Sequence, residues 1–277
     1  MKTFSRLSSE ICAELRAADI ASPEAEAKFI AEAAGEKRFF QLMTEPVSPE
    51  AQAKADAIVA RRRKKEPLQY ILESAPFREL DLYVTPDVLI PRPETEMLVS
   101  FCLDALPENG TLLDLGTGSG AIALSVGFER RDAKVTAVDI SGNALAVARK
   151  NAAKYALTDR VEFLLSDLFS AVKGRRFDVI AANLPYVTLE EYPTLDAEVR
   201  DFEPQLALTS PDAGLQHIKR AVSHLKQHLN PGGDAFFELS PPQAETVAGL
   251  LSRAGFSSKI HPDLTGRARF VAAKNDG

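Results

Sequence analysis

From Gly110 onward the chain alternates short apolar runs with amphipathic stretches, and this alternation limits the possible folds more than any other feature. Strands are expected at 111–115, 134–139, 161–165, 177–182, 233–239 and 267–273. Helical stretches are expected at 121–129, 143–155, 214–229 and 242–254. Parallel neighbours need long crossovers, so repeated strand–helix units imply a largely parallel, doubly wound α/β sheet. Ligands of such sheets bind beyond the carboxyl ends of the strands, where the strand order reverses.

The region before it reads differently. Ser22-Pro23 and Ser48-Pro49 each pair an N-cap residue with proline at the first helical position, and Glu24 and Glu50 complement the helix dipole. Gly35 reads as the stop of the first of these helices, and the second ends in the basic run Arg61 to Lys65. From Pro76, the residues Phe77, Leu80, Leu82, Tyr83 and Val84, and then Val88 to Ile90, suggest two short strands interrupted by Thr85-Pro86-Asp87. The organisation expected is a helical domain over 1–74, a β-hairpin linker over 75–92 and an α/β domain over 93–277.

Composition narrows the function classes. A net charge of −6 argues against affinity built on phosphate neutralisation, so direct nucleic-acid binding is not expected. The run Arg61 to Lys65 reads as a solvated helix end or a protein-docking surface rather than a nucleic-acid patch. Cys12 and Cys102 are two isolated cysteines, which suits a reducing compartment and offers no thiolate zinc site. The N-terminus lacks an apolar core of signal-peptide type and no later stretch has the length of a membrane span. A cytoplasmic, monomeric protein is expected. His217, His224 and His228 share a helix without an H-E-x-x-H pattern, so no metal is expected.

The run Asp114-Leu115-Gly116-Thr117-Gly118-Ser119-Gly120 is a strand entering a glycine-rich turn with a helix behind it. Its spacing is G-x-G-x-G, not the G-x-G-x-x-G of a dinucleotide site, and it lacks the Lys-Ser/Thr of a P-loop. Asp139 ends the next strand, placed to accept from ribose hydroxyls. A nucleoside without pyrophosphate fits this pattern, which points to S-adenosylmethionine, leaving S-adenosylhomocysteine as product. After the third strand, Asp167 is placed to accept from an adenine amino group and Leu168 to cover the ring.

The fourth strand runs into Asn183-Leu184-Pro185-Tyr186. Read alone, this is a strand-ending turn. Behind the glycine loop it suits methyl transfer to a planar nitrogen. The Asn183 side-chain oxygen and the Leu184 carbonyl can accept both N–H bonds of an NH₂ group, and Tyr186 can stack on the group.

These motifs resemble the HemK/PrmC family of glutamine N5-methyltransferases that modify peptide chain release factors. The resemblance runs through Glu66 to Leu72, Val88 to Glu96, Asp114 to Gly120, Phe202 to Leu208 and Asp263 to Arg267, and Ile90 to Glu96 is its most specific part. It implies a small N-terminal helical domain, a β-hairpin linker and a seven-stranded, Rossmann-like methyltransferase domain. It also implies that Gly116, Thr117, Gly118, Ser119, Gly120, Asp139, Leu168 and Asn183 contact the cofactor. Asn183, Leu184, Pro185 and Tyr186 would hold a glutamine, which in the family lies in the Gly-Gly-Gln loop of class I release factors. The helical domain would help to dock that partner.

Three positions depart from the family pattern. Leu184 replaces the first proline of Asn-Pro-Pro-Tyr, and Glu73 and Ser240 stand where glycine is usual. Asn-Leu-Pro-Tyr is also the form in ribosomal RNA adenine dimethyltransferases, so a nucleic-acid adenine N6-methyltransferase is the alternative reading.

Overall fold

The computed structural model describes Met1–Gly277 and separates into two compact units. The first comprises Met1–Glu73 with Asp196–Phe202, and the second comprises Ser74–Leu195 with Glu203–Gly277.

The first unit is helical, with long helices at Phe4–Ala17, Pro23–Gly35 and Pro49–Arg62. Apolar residues at helical spacing, among them Leu7, Ile11, Leu15, Ile30, Ile58 and Val59, form its core. Ser48 caps its helix as expected, accepting from the Ala51 N–H at 3.1 Å, whereas the Ser22 side chain makes no cap. The helix stops at Gly35 as expected, and Glu36 caps it in the left-handed conformation, with φ 57°. Glycine is needed at 35 for close packing, because a Cβ there would lie 2.6 Å from Leu42 and 2.9 Å from Phe4.

The basic run is largely neutralised inside this unit. Arg62 is 2% exposed and donates to Glu26 at 2.6 and 3.0 Å and to Glu198 at 2.7 Å. Arg61 pairs with Glu66 at 2.6 Å, Arg63 with Glu14 at 3.4 Å, and Lys65 donates to the Asp19 carbonyl. The Arg62–Glu198 bond is also what draws 196–202 into a unit otherwise built from the first 73 residues.

The second unit opens on a hairpin, β1 (Ala75–Phe77) with β2 (Leu80–Leu82). Its turn is at Arg78-Glu79, so the expected second strand at Val88 to Ile90 does not form. Prolines 86, 91 and 93 deprive that stretch of ladder donors. Val88 and Ile90 are buried in irregular backbone instead. Phe77, Leu80 and Leu82 pack in one cluster with Leu98, Val99 and Leu112, so the hairpin belongs to the core of this unit.

The main sheet contains β3 (Thr111–Leu115), β4 (Lys134–Asp139), β5 (Val161–Leu165), β6 (Phe177–Ala182), β7 (Leu229–Glu238), β8 (Ser257–Pro262) and β9 (Ala268–Lys274). Their order is β5-β4-β3-β6-β7-β9-β8, with β9 antiparallel to both its neighbours and the other pairs parallel. The order reverses between β3 and β6, which sets a ligand crevice at their carboxyl ends. Side chains alternate between two cores: Leu113, Leu115 and Ile180 enter one, and Leu112, Val179 and Ala181 the other. The seven-stranded α/β architecture expected from the sequence is thus present. No helix is long and apolar enough to cross a membrane.

Glu73, where glycine is usual, closes the helix Leu68–Leu72 with φ 53°. Left-handed backbone costs an L-residue roughly 1–2 kcal/mol, partly offset by the extra unfolded-state entropy of glycine. Glu73→Gly is therefore expected to stabilise the protein by about 0.5–1 kcal/mol. Thermal denaturation would show this as a raised midpoint, and a lowered midpoint would contradict the assignment of strain. Ser240 needs no glycine, because φ is −67° and its N–H donates to Gln243 Oε1 at 3.1 Å.

Candidate active site

A cavity of about 290 Å³ lies outside the carboxyl ends of β3, β4, β5 and β6. Its floor is the glycine turn after β3. The Gly116 and Thr117 N–H groups donate to the Val138 carbonyl at 2.9 and 3.0 Å, which joins the turn to the end of β4. Below it, buried Asp114 accepts from Thr117 Oγ1 at 2.6 Å and from the Ala123 N–H at 3.2 Å, bracing the turn against the following helix. Burial pushes the Asp114 carboxyl up to about 7. Its Oδ1 has no partner.

Asp139 takes the Gly118 N–H on Oδ2 and the Ser141 N–H on Oδ1, both at 2.9 Å. These bonds aim the carboxylate while leaving lone pairs for two further donors, as vicinal ribose hydroxyls require. Burial raises its pKa. A Cβ on Gly118 would enter open space, so the turn leaves an unfilled cradle above its backbone. Ile140, 56% exposed, adds an apolar surface beside that carboxylate. Leu168 faces the cavity with φ 48°, its carbonyl held by Ser166 Oγ at 2.7 Å. Left-handed backbone in a branched side chain marks a position held by its surroundings. Together the open cradle, the diol acceptor and the apolar walls fit a nucleoside sulfonium.

Of the residues expected at the site, Gly116, Thr117, Gly118, Ser119, Asp139, Asp167, Leu168, Asn183, Leu184 and Pro185 line this cavity, whereas Gly120 and Tyr186 do not. Gly120 sits at the start of the helix Ala121–Glu129, where a Cβ would lie 2.8 Å from Leu124. Arg220 donates to Asp167 Oδ2 at 2.7 Å, which leaves Oδ1 with lone pairs at the cavity. Tyr186 is half-buried, and its phenol pKa is raised by burial and by Glu238. Its carbonyl accepts from Gln243 Nε2 at 3.0 Å. A Cβ on Gly214 would collide with that same carbonyl, so Gly214, φ 77°, is required behind the tetrapeptide.

Asn183 Nδ2 donates to Thr95 Oγ1 at 3.1 Å, and Thr95 Oγ1 donates to Glu238 Oε2 at 2.8 Å. Neither Asn183 Oδ1 nor the Leu184 carbonyl receives a hydrogen bond from the protein. The Leu184 side chain is buried in the core, leaving its backbone at the cavity. Sequence reasoning missed Thr95, Ile140, Arg220 and Glu238. The Ile90–Glu96 run was the one available signal. Its backbone is clamped by buried Glu203, which accepts from the Ile90 N–H at 3.2 Å and from Arg92 at 2.5 Å.

The three helical histidines do not converge. His228 stacks on Phe169 with centroids 4.5 Å apart and Nδ1 2.9 Å from the Arg175 carbonyl, while His217 lines the cavity. No group of three or more His, Cys, Asp or Glu side chains is placed to hold a metal ion.

Gly116 combines φ 73° with a Cβ position 3.2 Å from Leu184. Gly116→Ala is expected to weaken S-adenosylhomocysteine binding about tenfold or more, as titration calorimetry would read. Unchanged affinity would show that the turn tolerates a side chain.

The PrmC N-terminal domain family matches residues 7–72, and the Methyltransferase small domain family matches residues 93–199. A release factor glutamine methyltransferase from Koribacter versatilis is 40% identical over 266 residues, 94% of each chain. Its counterpart from Neisseria gonorrhoeae is 41% identical over 258 residues, covering 91% of this chain and 93% of its own. A crystal structure of a methyltransferase from Pyrococcus furiosus shares the fold at TM-score 0.55 and 21% identity, over 72% of this chain and 90% of that one. With this identity along nearly its whole length, the chain belongs to the release factor glutamine methyltransferase family.

Proposed function

We propose that the chain transfers a methyl group from S-adenosylmethionine to the side-chain amide nitrogen of a glutamine in a peptide chain release factor, and that this glutamine lies in the Gly-Gly-Gln loop of a class I factor. The observation that carries this reading is the pair of unengaged oxygens, Asn183 Oδ1 and the Leu184 carbonyl, at the end of β6 beside the cofactor cradle.

An amide nitrogen is a poor nucleophile because its lone pair is delocalised into the carbonyl. Two acceptors on its two N–H bonds orient the group, favour a more pyramidal nitrogen and stabilise the positive charge that grows on it. Asn183 Oδ1 and the Leu184 carbonyl supply those acceptors, and Pro185 stiffens the backbone that carries them. Asp139 would hold the ribose, the turn from Gly116 to Ser119 would pass beneath the nucleoside, and Leu168 and Ile140 would enclose the base. The cofactor, when bound, supplies an electrophilic methyl on a sulfonium. The methylated nitrogen loses its proton readily, so no strong base is required of the protein.

Methylation of a nucleic-acid adenine would use the same acceptor pair. The net charge of −6 and the carboxylate partners of Arg61, Arg62 and Arg63 weigh against that reading.

Mass spectrometry of a release factor incubated with the enzyme and S-adenosylmethionine is expected to find one added methyl on the Gly-Gly-Gln glutamine. Asn183→Ala should lower the rate on the order of 10²–10³-fold, the scale seen when one transition-state hydrogen bond is deleted. An unmodified release factor beside methylated RNA would overturn the substrate assignment, and full activity of the variant would overturn the role of Asn183.

A further inference from the structure

Thr95 and Glu238 lie outside every role described so far, although both are buried, at 4% and 1% exposure, and Thr95 borders the cavity. Thr95 is at the first turn of the helix Thr95–Ala105, and Glu238 is the last residue of β7. They meet only through the fold.

A hydroxyl has one proton to give. Thr95 gives it to the Glu238 carboxylate at 2.8 Å, so towards Asn183 it has lone pairs only. The end of the Asn183 amide that meets it must then be the NH₂ end, as the 3.1 Å bond from Nδ2 records. The opposite end, Oδ1, is left facing the place where a substrate N–H would arrive. Rotating the amide by half a turn would bring two oxygens together at Thr95 and present donors to a substrate NH₂ group that itself only donates.

We propose that Thr95 and Glu238 are positioning residues that set the polarity of the Asn183 amide, with the buried carboxylate directing the Thr95 proton away from Asn183 and so keeping Oδ1 turned to the substrate. This rests on the reading of Asn183 as an acceptor for the glutamine NH₂ group.

The relay has two states. Burial pushes the Glu238 carboxyl up to about 7, against the favourable bond from Thr95. Arg269 on β9 and Arg92 before the helix oppose that rise, and Glu94 adds to it. The Glu238 carboxylate raises the Tyr186 phenol pKa, behind the larger effect of burial. Once protonated, Glu238 can donate to Thr95, which frees the Thr95 proton to point at Asn183 and favours the inverted amide. The active polarity is therefore present above the Glu238 pKa and lost as pH falls through it.

The test compares Thr95→Val, which keeps the shape and removes the hydroxyl, with Thr95→Ser, which keeps the hydroxyl. Thr95→Val is expected to lower kcat about 10- to 100-fold, the cost of a mispaired buried polar group, while affinity for S-adenosylhomocysteine changes by less than about threefold. Thr95→Ser should recover most of the rate. The acid limb of the wild-type kcat profile, expected near the Glu238 pKa, should disappear in Thr95→Val. In an Asn183→Ala background, Thr95→Val should cost little more, because two residues acting through one contact are not additive.

Four outcomes would overturn the proposal. These are an unchanged kcat in Thr95→Val, a Thr95→Ser variant as slow as Thr95→Val, an acid limb that persists in Thr95→Val, and loss of S-adenosylhomocysteine binding in Thr95→Val. A normal rate in Asn183→Ala would instead remove the reading beneath it.

Discussion

Two carbonyl oxygens at the end of β6 receive no hydrogen bond from the protein, and the proposed function depends on their staying so. Asn183 Oδ1 is not a buried unpaired atom, so what matters is its direction, which neighbouring groups set. Here the neighbours leave little freedom. Thr95 holds the nitrogen end of Asn183, the Leu184 side chain is anchored in the core, and Gln243 holds the Tyr186 carbonyl from behind. The tetrapeptide is fixed at both ends, with Leu184 and Pro185 lining the cavity between them.

Tight packing recurs behind the tetrapeptide. Gly214 sits where any Cβ would strike the Tyr186 carbonyl, and Asp212 and Ala213 beside it adopt left-handed backbone with φ 58° and 55°. Leu168, which lines the cavity, is also left-handed. Strain of this kind is tolerated where packing over-determines the conformation, and at Leu168 it falls on a residue that lines the cavity. Leu184 in place of the usual proline fits this picture. The rigidity a proline ring would add is supplied by burial of the leucine against the glycine turn.

Local patterns in the sequence carried much of the architecture. The strands β3 to β6 were legible because buried parallel strands are continuous apolar runs, and the glycine turn because only glycine tolerates its backbone. β8 was not legible: Ser257-Ser258-Lys259-Ile260-His261-Pro262 is a polar edge strand with a single aliphatic residue, and its pairing with β9 is tertiary. The hairpin was misread because Val88 to Ile90 is apolar for burial under Glu203, not for strand pairing. Glu198 joins the helical unit through Arg62, 136 residues away, a contact no local pattern reports. At the site, the place of Asn183 and Leu184 at the cavity was readable from the strand pattern, but Glu238 looked like an ordinary strand end. Its bond from Thr95 exists only because β7 and the helix at Thr95 come together.

The account turns on whether a glutamine NH₂ group is held by those two oxygens. A crystal structure of the enzyme with S-adenosylhomocysteine and a Gly-Gly-Gln peptide measures this directly. The expected result is the glutamine side-chain nitrogen within about 2.7–3.2 Å of both Asn183 Oδ1 and the Leu184 carbonyl, and in line with the cofactor sulfur. A nitrogen held by other groups, or a tetrapeptide turned away from the sulfur, would contradict it.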